Sequence, residues 1–161
     1  MDSKKPLAGV RVIDFSTHAA GPGAARILAD QGADVIKVEP LEGDLYRPTG
    51  AVVGCPVAET ENPAYDIENV NKKHISLDLK TAQGQEIIHK LLEKADVLIT
   101  TLRDSALEKL GMSYEQLSVK YPRLVYGHIK GYGEKGPEAD RPGYDLIAYF
   151  ARSGMMLDSV A

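Results

Sequence analysis

Gly21, Gly23 and Glu39 are the residues whose types and spacing come nearest to a known binding chemistry. Gly21-Pro22-Gly23-Ala24-Ala25-Arg26 follows an apolar strand and opens a small-residue helix, and Glu39 closes the next strand. Glycines at such a turn let the backbone approach a pyrophosphate, and an acid ending the second strand can hold a ribose. That pattern would serve an NAD(P)-dependent oxidoreductase, but here the fingerprint is degenerate. Residues Ser16 to Ala20 intervene between strand and Gly21, Pro22 offers no N–H, and Arg26 stands where close helix–strand packing wants glycine. A small-residue helix start chosen for packing accounts for the same residues, and a site there for some other phosphate-bearing ligand stays open.

The remaining reactive side chains form no familiar constellation. His18, His74, His89 and His128 are scattered with no pair at metal-ligand spacing, so no metal site is expected. Lys72, Lys73 and Lys80 flank the third strand and either meet phosphates or form a solvated face. Asp14, Asp145 and Asp158 are candidate acids, and spacing alone does not choose among them. The loop Gly131 to Pro137 is read as a lid or a turn. A single cysteine, Cys55, excludes a disulfide framework and a thiolate zinc site.

The elements that must position these residues alternate between strand and helix. Strands are predicted at Val10–Phe15, Val35–Val38, His74–Leu79, Val97–Ile99 and Leu124–Ile129. The alternation in His74–Leu79 predicts one buried face. A helix capped by Thr81 carries Ile87, Ile88, Leu91 and Leu92 at helical spacing. Two short helices follow, each opened by a capping box, Ser105 with Glu108 and Ser113 with Gln116. A Pro- and Gly-rich irregular excursion covers residues 40–63, and Asp145 to Arg152 reads as helical. The fold class predicted is α/β, a Rossmann-like, doubly wound, mostly parallel sheet, whose ligands sit at the carboxyl ends of the strands.

Composition narrows the field. At 161 residues, 43% hydrophobic and 26% charged, the chain suits one α/β domain with a full core. A net charge of −4 argues against a general nucleic-acid partner. Neither a signal peptide nor a membrane span is legible, so the expected location is the cytoplasm.

Several blocks in order and spacing resemble class III CoA-transferases, the CaiB/BaiF family. They are Leu7 to Asp14, Ala20-Gly21-Pro22, Leu28 to Glu39 with Gly43-Asp44, Asn71 to Lys80, Ala95 to Leu98, Leu107 to Gly111, Lys130 to Pro137 and Arg141 to Asp145. Within the family, the stretch from Tyr65 to Arg152 is most similar to transferases of amino-acid fermentation acting on 2-hydroxy acids, such as phenyllactate or 2-hydroxyisocaproate. The resemblance implies transfer of coenzyme A from an acyl-CoA to a carboxylic acid through an aspartyl thioester. CoA is then a substrate, with no permanently bound cofactor, and the whole protein an interlocked homodimer.

By position, the resemblance puts CoA contacts on Ala19 and Ala20, on Leu77, Asp78, Leu79 and Lys80, on Thr101, Leu102 and Arg103, on Lys109, and on Gly143, Tyr144 and Asp145. Ala19 replaces a glutamine of some members, Pro40 replaces an arginine, and Tyr144 replaces the histidine of racemases. The nucleophilic aspartate is expected beyond Ala161, so that residues 1–161 form an amino-terminal CoA-binding domain, truncated and inactive alone. The alternatives are the oxidoreductase and a non-catalytic acyl-CoA-binding module.

Overall fold

Every strand of the sheet runs in the same direction, because each connection between neighbours is a crossover. The computed structural model describes residues 5–144 and 146–159. Strands β1 (Arg11–Phe15), β2 (Asp34–Glu39), β3 (Lys73–Ser76), β4 (Val97–Thr100) and β5 (Val125–His128) form a parallel sheet in the order β3-β2-β1-β4-β5. Ile13 lies beside Ile36 on one flank and Leu98 on the other, which places β1 at the centre.

The period of two divides the core between the faces. Ile13, Phe15 and Leu98 point into one cluster with Ile88 and Leu92 of α3 (Ala82–Leu92), Leu107 of α4 (Asp104–Lys109) and Leu117 of α5 (Tyr114–Lys120). Val12, Val35 and Ile99 point the other way, onto Ala25 and Ala29 of α1 (Ala20–Asp30). Alanines on that helix face let α1 lie close to the sheet. Gly21 brings its first turn closer still: a Cβ there would sit 2.7 Å from Thr101 Cγ2 and run into Ser16.

Three expectations need correction. The third strand stops at Ser76 and lies at the edge of the sheet, with only Ile75 of its four residues partly buried against the core. Leu77 and Leu79 are buried, but in a turn: the Thr81 N–H bonds the Asp78 carbonyl at 3.1 Å and the Lys80 N–H bonds Asp78 Oδ1 at 3.0 Å. The Ser105–Glu108 box does not form, because α4 begins two residues earlier with Arg103 as its cap, and the Ser105 N–H reaches Asp140 Oδ1 at 3.4 Å. The Ser113–Gln116 box does form, as does the Thr81 cap. Last, a helix α2 (Pro63–Asn69) went unpredicted, although Asn62 caps it and Pro63 starts it.

Between β2 and α2 lies a short 3₁₀ turn, Thr49–Val53. After β5 the chain forms a wide π-type turn, Leu146–Ala151, and a last short helix, α6 (Met155–Asp158). Asp145, at the head of the segment read as helical, lies outside the described residues. No described helix is long and apolar enough to cross a membrane.

Candidate functional site

The crossovers leave β1 and β4 on opposite sides, so a crevice opens where their carboxyl ends part. The two tips are tied together, the Thr17 N–H donating to Thr101 Oγ1 at 2.9 Å. Beside them a cavity of about 350 Å³ runs over the ends of β1, β2 and the turn after β3. Phe15, Val38, Leu77, Leu79, Leu102 and Leu110 contribute its apolar wall, and Glu39, Asp44, Asp78 and Lys80 its polar part.

Leu77, Asp78, Leu79, Lys80 and Leu102 therefore share one cavity, with Thr101 and Arg103 flanking Leu102 and Lys109 next to the lining Leu110. Lys80, Arg103 and Lys109 are exposed and face water, as groups that meet phosphates must before binding. Ala19 and Ala20 are exposed at the start of α1 and stand outside the cavity wall. Gly143 packs against Gly131, and the Tyr144 hydroxyl lies 3.3 Å from His18 Nε2. Asp145 is outside the described residues.

Two of the three lysines near β3 do other work. Lys72 is buried, and its ammonium donates to Asp14 Oδ2 at 2.8 Å, the Pro22 carbonyl at 2.7 Å and Asn69 Oδ1 at 2.9 Å. All three of its protons are used, so it is neither a phosphate ligand nor part of a solvated face. Burial pushes its pKa down, against the pull of Asp14. Lys73 pairs with Asp34 at the amino end of the sheet, 2.5 Å away, and only Lys80 reaches the cavity.

A buried polar network beneath the cavity carries no signature in the sequence beyond charge in a β-strand. Lys37 and Asp44 are 0% and 1% exposed and bonded at 2.6 Å, and Lys37 also donates to the Ser16 carbonyl at 2.7 Å. Asp44 Oδ1 accepts the Thr17 hydroxyl at 2.5 Å, the Tyr46 N–H at 2.9 Å and the His18 N–H at 3.2 Å. Burial pushes the Asp44 carboxyl up, but the Lys37 bond and charge and the Thr17 hydroxyl outweigh it and hold the group below its ordinary range. Glu39 likewise accepts two bonds from Arg47, each 2.9 Å, the Asp44 N–H at 3.0 Å and the Tyr65 hydroxyl, with His74 Nδ1 3.2 Å away. Burial pushes Glu39 up as well, and its donors, His74, Arg47 and Tyr65 foremost, overcome it. Burial and the Glu39 charge drive the Tyr65 hydroxyl well above its usual value.

With both oxygens occupied, Glu39 has no vacancy for a ribose hydroxyl. Gly21 is pressed against Ser16 and Thr101 where a pyrophosphate would have to enter. The half-fingerprint is thus a packing device. His128 supports the cavity from behind, its Nε2 donating to the Leu102 carbonyl at 2.7 Å while Lys130 and His128 both approach Asp104. Among the described residues no cluster of His, Cys, Asp and Glu could hold a metal ion.

Residues 7–159 match CoA-transferase family III. The chain is 49% identical over 149 residues to (R)-2-hydroxy-4-methylpentanoate CoA-transferase of Clostridioides difficile, covering 92% of this chain and 37% of that protein. Identity is also 49% over 149 residues to cinnamoyl-CoA:phenyllactate CoA-transferase of Clostridium sporogenes, covering 92% of this chain and 36% of the relative. The crystal structure of a CAIB/BAIF family protein from Brucella suis superposes with a TM-score of 0.83 at 35% identity, over 95% of this chain and 40% of that one. The chain thus spans under two-fifths of the length of these two enzymes.

Proposed function

The chain belongs to CoA-transferase family III, and on that premise we propose that it holds coenzyme A along the carboxyl edge of its sheet for transfer between an acyl-CoA and a carboxylic acid. The observation that carries this reading is the 350 Å³ cavity whose wall includes Leu77 to Lys80 and Leu102, residues that the family resemblance independently marks as CoA contacts. Apolar side chains there suit a pantetheine arm and exclude water, while Lys80, Arg103 and Lys109 supply cations for phosphates at the rim.

The chemistry proposed is nucleophilic. A carboxylate oxygen of the protein attacks the thioester carbon, forming a C–O bond as the C–S bond breaks, and CoA leaves as thiolate. The thiolate then attacks the protein-side carbonyl of the mixed anhydride, releasing the donor carboxylate and leaving CoA as a protein thioester. The acceptor carboxylate reverses these steps, so the thioester bond energy is kept provided water stays out. Glu39 and Asp44 are held ionised by several donors each, which makes them poor nucleophiles, and the family resemblance puts the attacking aspartate beyond Ala161. Two relatives named for 2-hydroxy acids at 49% identity support a 2-hydroxyacyl group as the cargo. On the same reading CoA is a substrate with no resident cofactor, and the whole enzyme is a cytoplasmic, interlocked homodimer. Exposed Val52, Val53 and Leu157 are consistent with burial against further protein.

Thermal unfolding of the chain with CoA or NADH added tests the assignment. CoA is expected to raise Tm and NADH to leave it unchanged. Stabilisation by NADH alone, or by neither at millimolar concentration, would overturn it.

A further inference from the structure

We propose that His18 and Tyr144 form the subsite that recognises the hydroxyl of a 2-hydroxyacyl group, a reading that rests on the CoA-transferase assignment. His18 has φ 64°, a left-handed backbone that a non-glycine residue adopts at a cost of about 1 kcal/mol. The neighbourhood holds it there. The His18 N–H is bound by Asp44 Oδ1, the same oxygen takes the Thr17 hydroxyl, and Asp44 Oδ2 is clamped by the buried Lys37. A buried ion pair linking β2 to the loop after it thus fixes the turn that follows β1. Strain sustained by its surroundings in this way marks functional positions.

The hydrogen-bond directions then specify what the imidazole presents. Thr17 Oγ1 gives its only proton to Asp44 at 2.5 Å, so its contact with His18 Nδ1 at 3.3 Å requires the nitrogen to donate. In the neutral ring Nε2 is therefore an acceptor, and it faces the hydroxyl of Tyr144 at 3.3 Å. That separation is at the long end for a hydrogen bond. The rings lie 4.9 Å apart, Tyr46 stands 6.3 Å behind His18, and Tyr144 is 51% exposed. An acceptor and a hydroxyl thus stand side by side on the turn after β1, where the residue preceding His18, Thr17, lines the cavity. A 2-hydroxyl inserted there donates to Nε2 and accepts from Tyr144. A CH₂ at the same position satisfies neither.

Equilibrium binding of 2-hydroxy-4-methylpentanoyl-CoA, 4-methylpentanoyl-CoA and CoA to the chain tests this. The hydroxylated thioester is expected to bind about five- to tenfold tighter than its deoxy analogue, the worth of one or two net hydrogen bonds. His18→Asn, which tolerates a left-handed backbone, is expected to reduce that ratio to about one, and Tyr144→Phe to lower it. A general loss of fold or of nucleotide binding weakens both thioesters alike and leaves the ratio unmoved. Equal affinities in the wild type, or a ratio that survives His18→Asn, would overturn the subsite alone. A chain that binds neither the thioesters nor CoA would overturn the CoA assignment and this subsite together.

Discussion

Replacing Asp44 by asparagine removes a charge from a buried ion pair that lies against the cavity while hardly changing its shape. In the native protein the carboxylate accepts Lys37 on one oxygen and Thr17, His18 and Tyr46 on the other. The amide keeps one oxygen and turns a donor toward donors, so either the Lys37 ammonium or the three groups opposite lose their acceptor. Removing one partner of a buried pair costs about 3–5 kcal/mol. That is a large part of the roughly 5–15 kcal/mol that holds a domain folded. At about 2–4 °C per kcal/mol for a chain of this size, Tm is expected to fall by roughly 6–20 °C. Urea titrations at several pH values add a sharper check. Asp44 ionises below its unfolded pKa, so its contribution is complete above about pH 4 and declines as pH falls through the folded value. The gap between wild type and Asp44→Asn is therefore expected to be flat from pH 7 to about 5. Below pH 4 it should narrow by at most about 1.4 kcal/mol per pH unit. A gap under about 1 kcal/mol at pH 7, or one that widens in acid, would refute the reasoning.

Two further substitutions probe the cavity wall. Gly84→Ala replaces a helix residue by the best helix former, which propensity alone would score as stabilising by about 1 kcal/mol. Its Cβ would run into the Asp78 carbonyl, so we expect a net loss of about 1–3 kcal/mol in a denaturant titration, with the Asp78–Lys80 turn displaced. Lys80→Ala is expected to weaken CoA binding several-fold at low salt, by calorimetry, with the difference shrinking at 0.5 M salt because the lysine is exposed. A salt-independent difference would mean that Lys80 does not act on phosphate charge.

The doubly wound sheet was legible in residue order because its three inner strands, β1, β2 and β4, carry apolar runs suited to burial on two faces. The Thr81 cap and the Ser113–Gln116 box were legible because a cap needs only residues three apart. Leu77 and Leu79 misled for a related reason. Alternate burial is the mark of a strand, and a turn lying against the same core produces the same pattern. The capping box at Ser105 failed because the helix starts at Asp104, which leaves Ser105 inside the first turn with its N–H turned to Asp140 from far along the chain.

What the amino-acid order determined by itself was local: periodicity, caps, glycine turns and the ordered blocks that resemble one transferase family. Those depend on neighbours within a few positions. Only the tertiary structure decided which charges were free. Lys72 and Lys80 look alike in sequence, yet one spends every proton on Asp14, Pro22 and Asn69, and the other reaches the cavity. Lys37 and Asp44 are seven positions apart, and folding makes them a single buried unit that sets the backbone of His18. Charges act through space and are strongest where water is excluded, so their roles are settled by burial and by partners brought from distant segments.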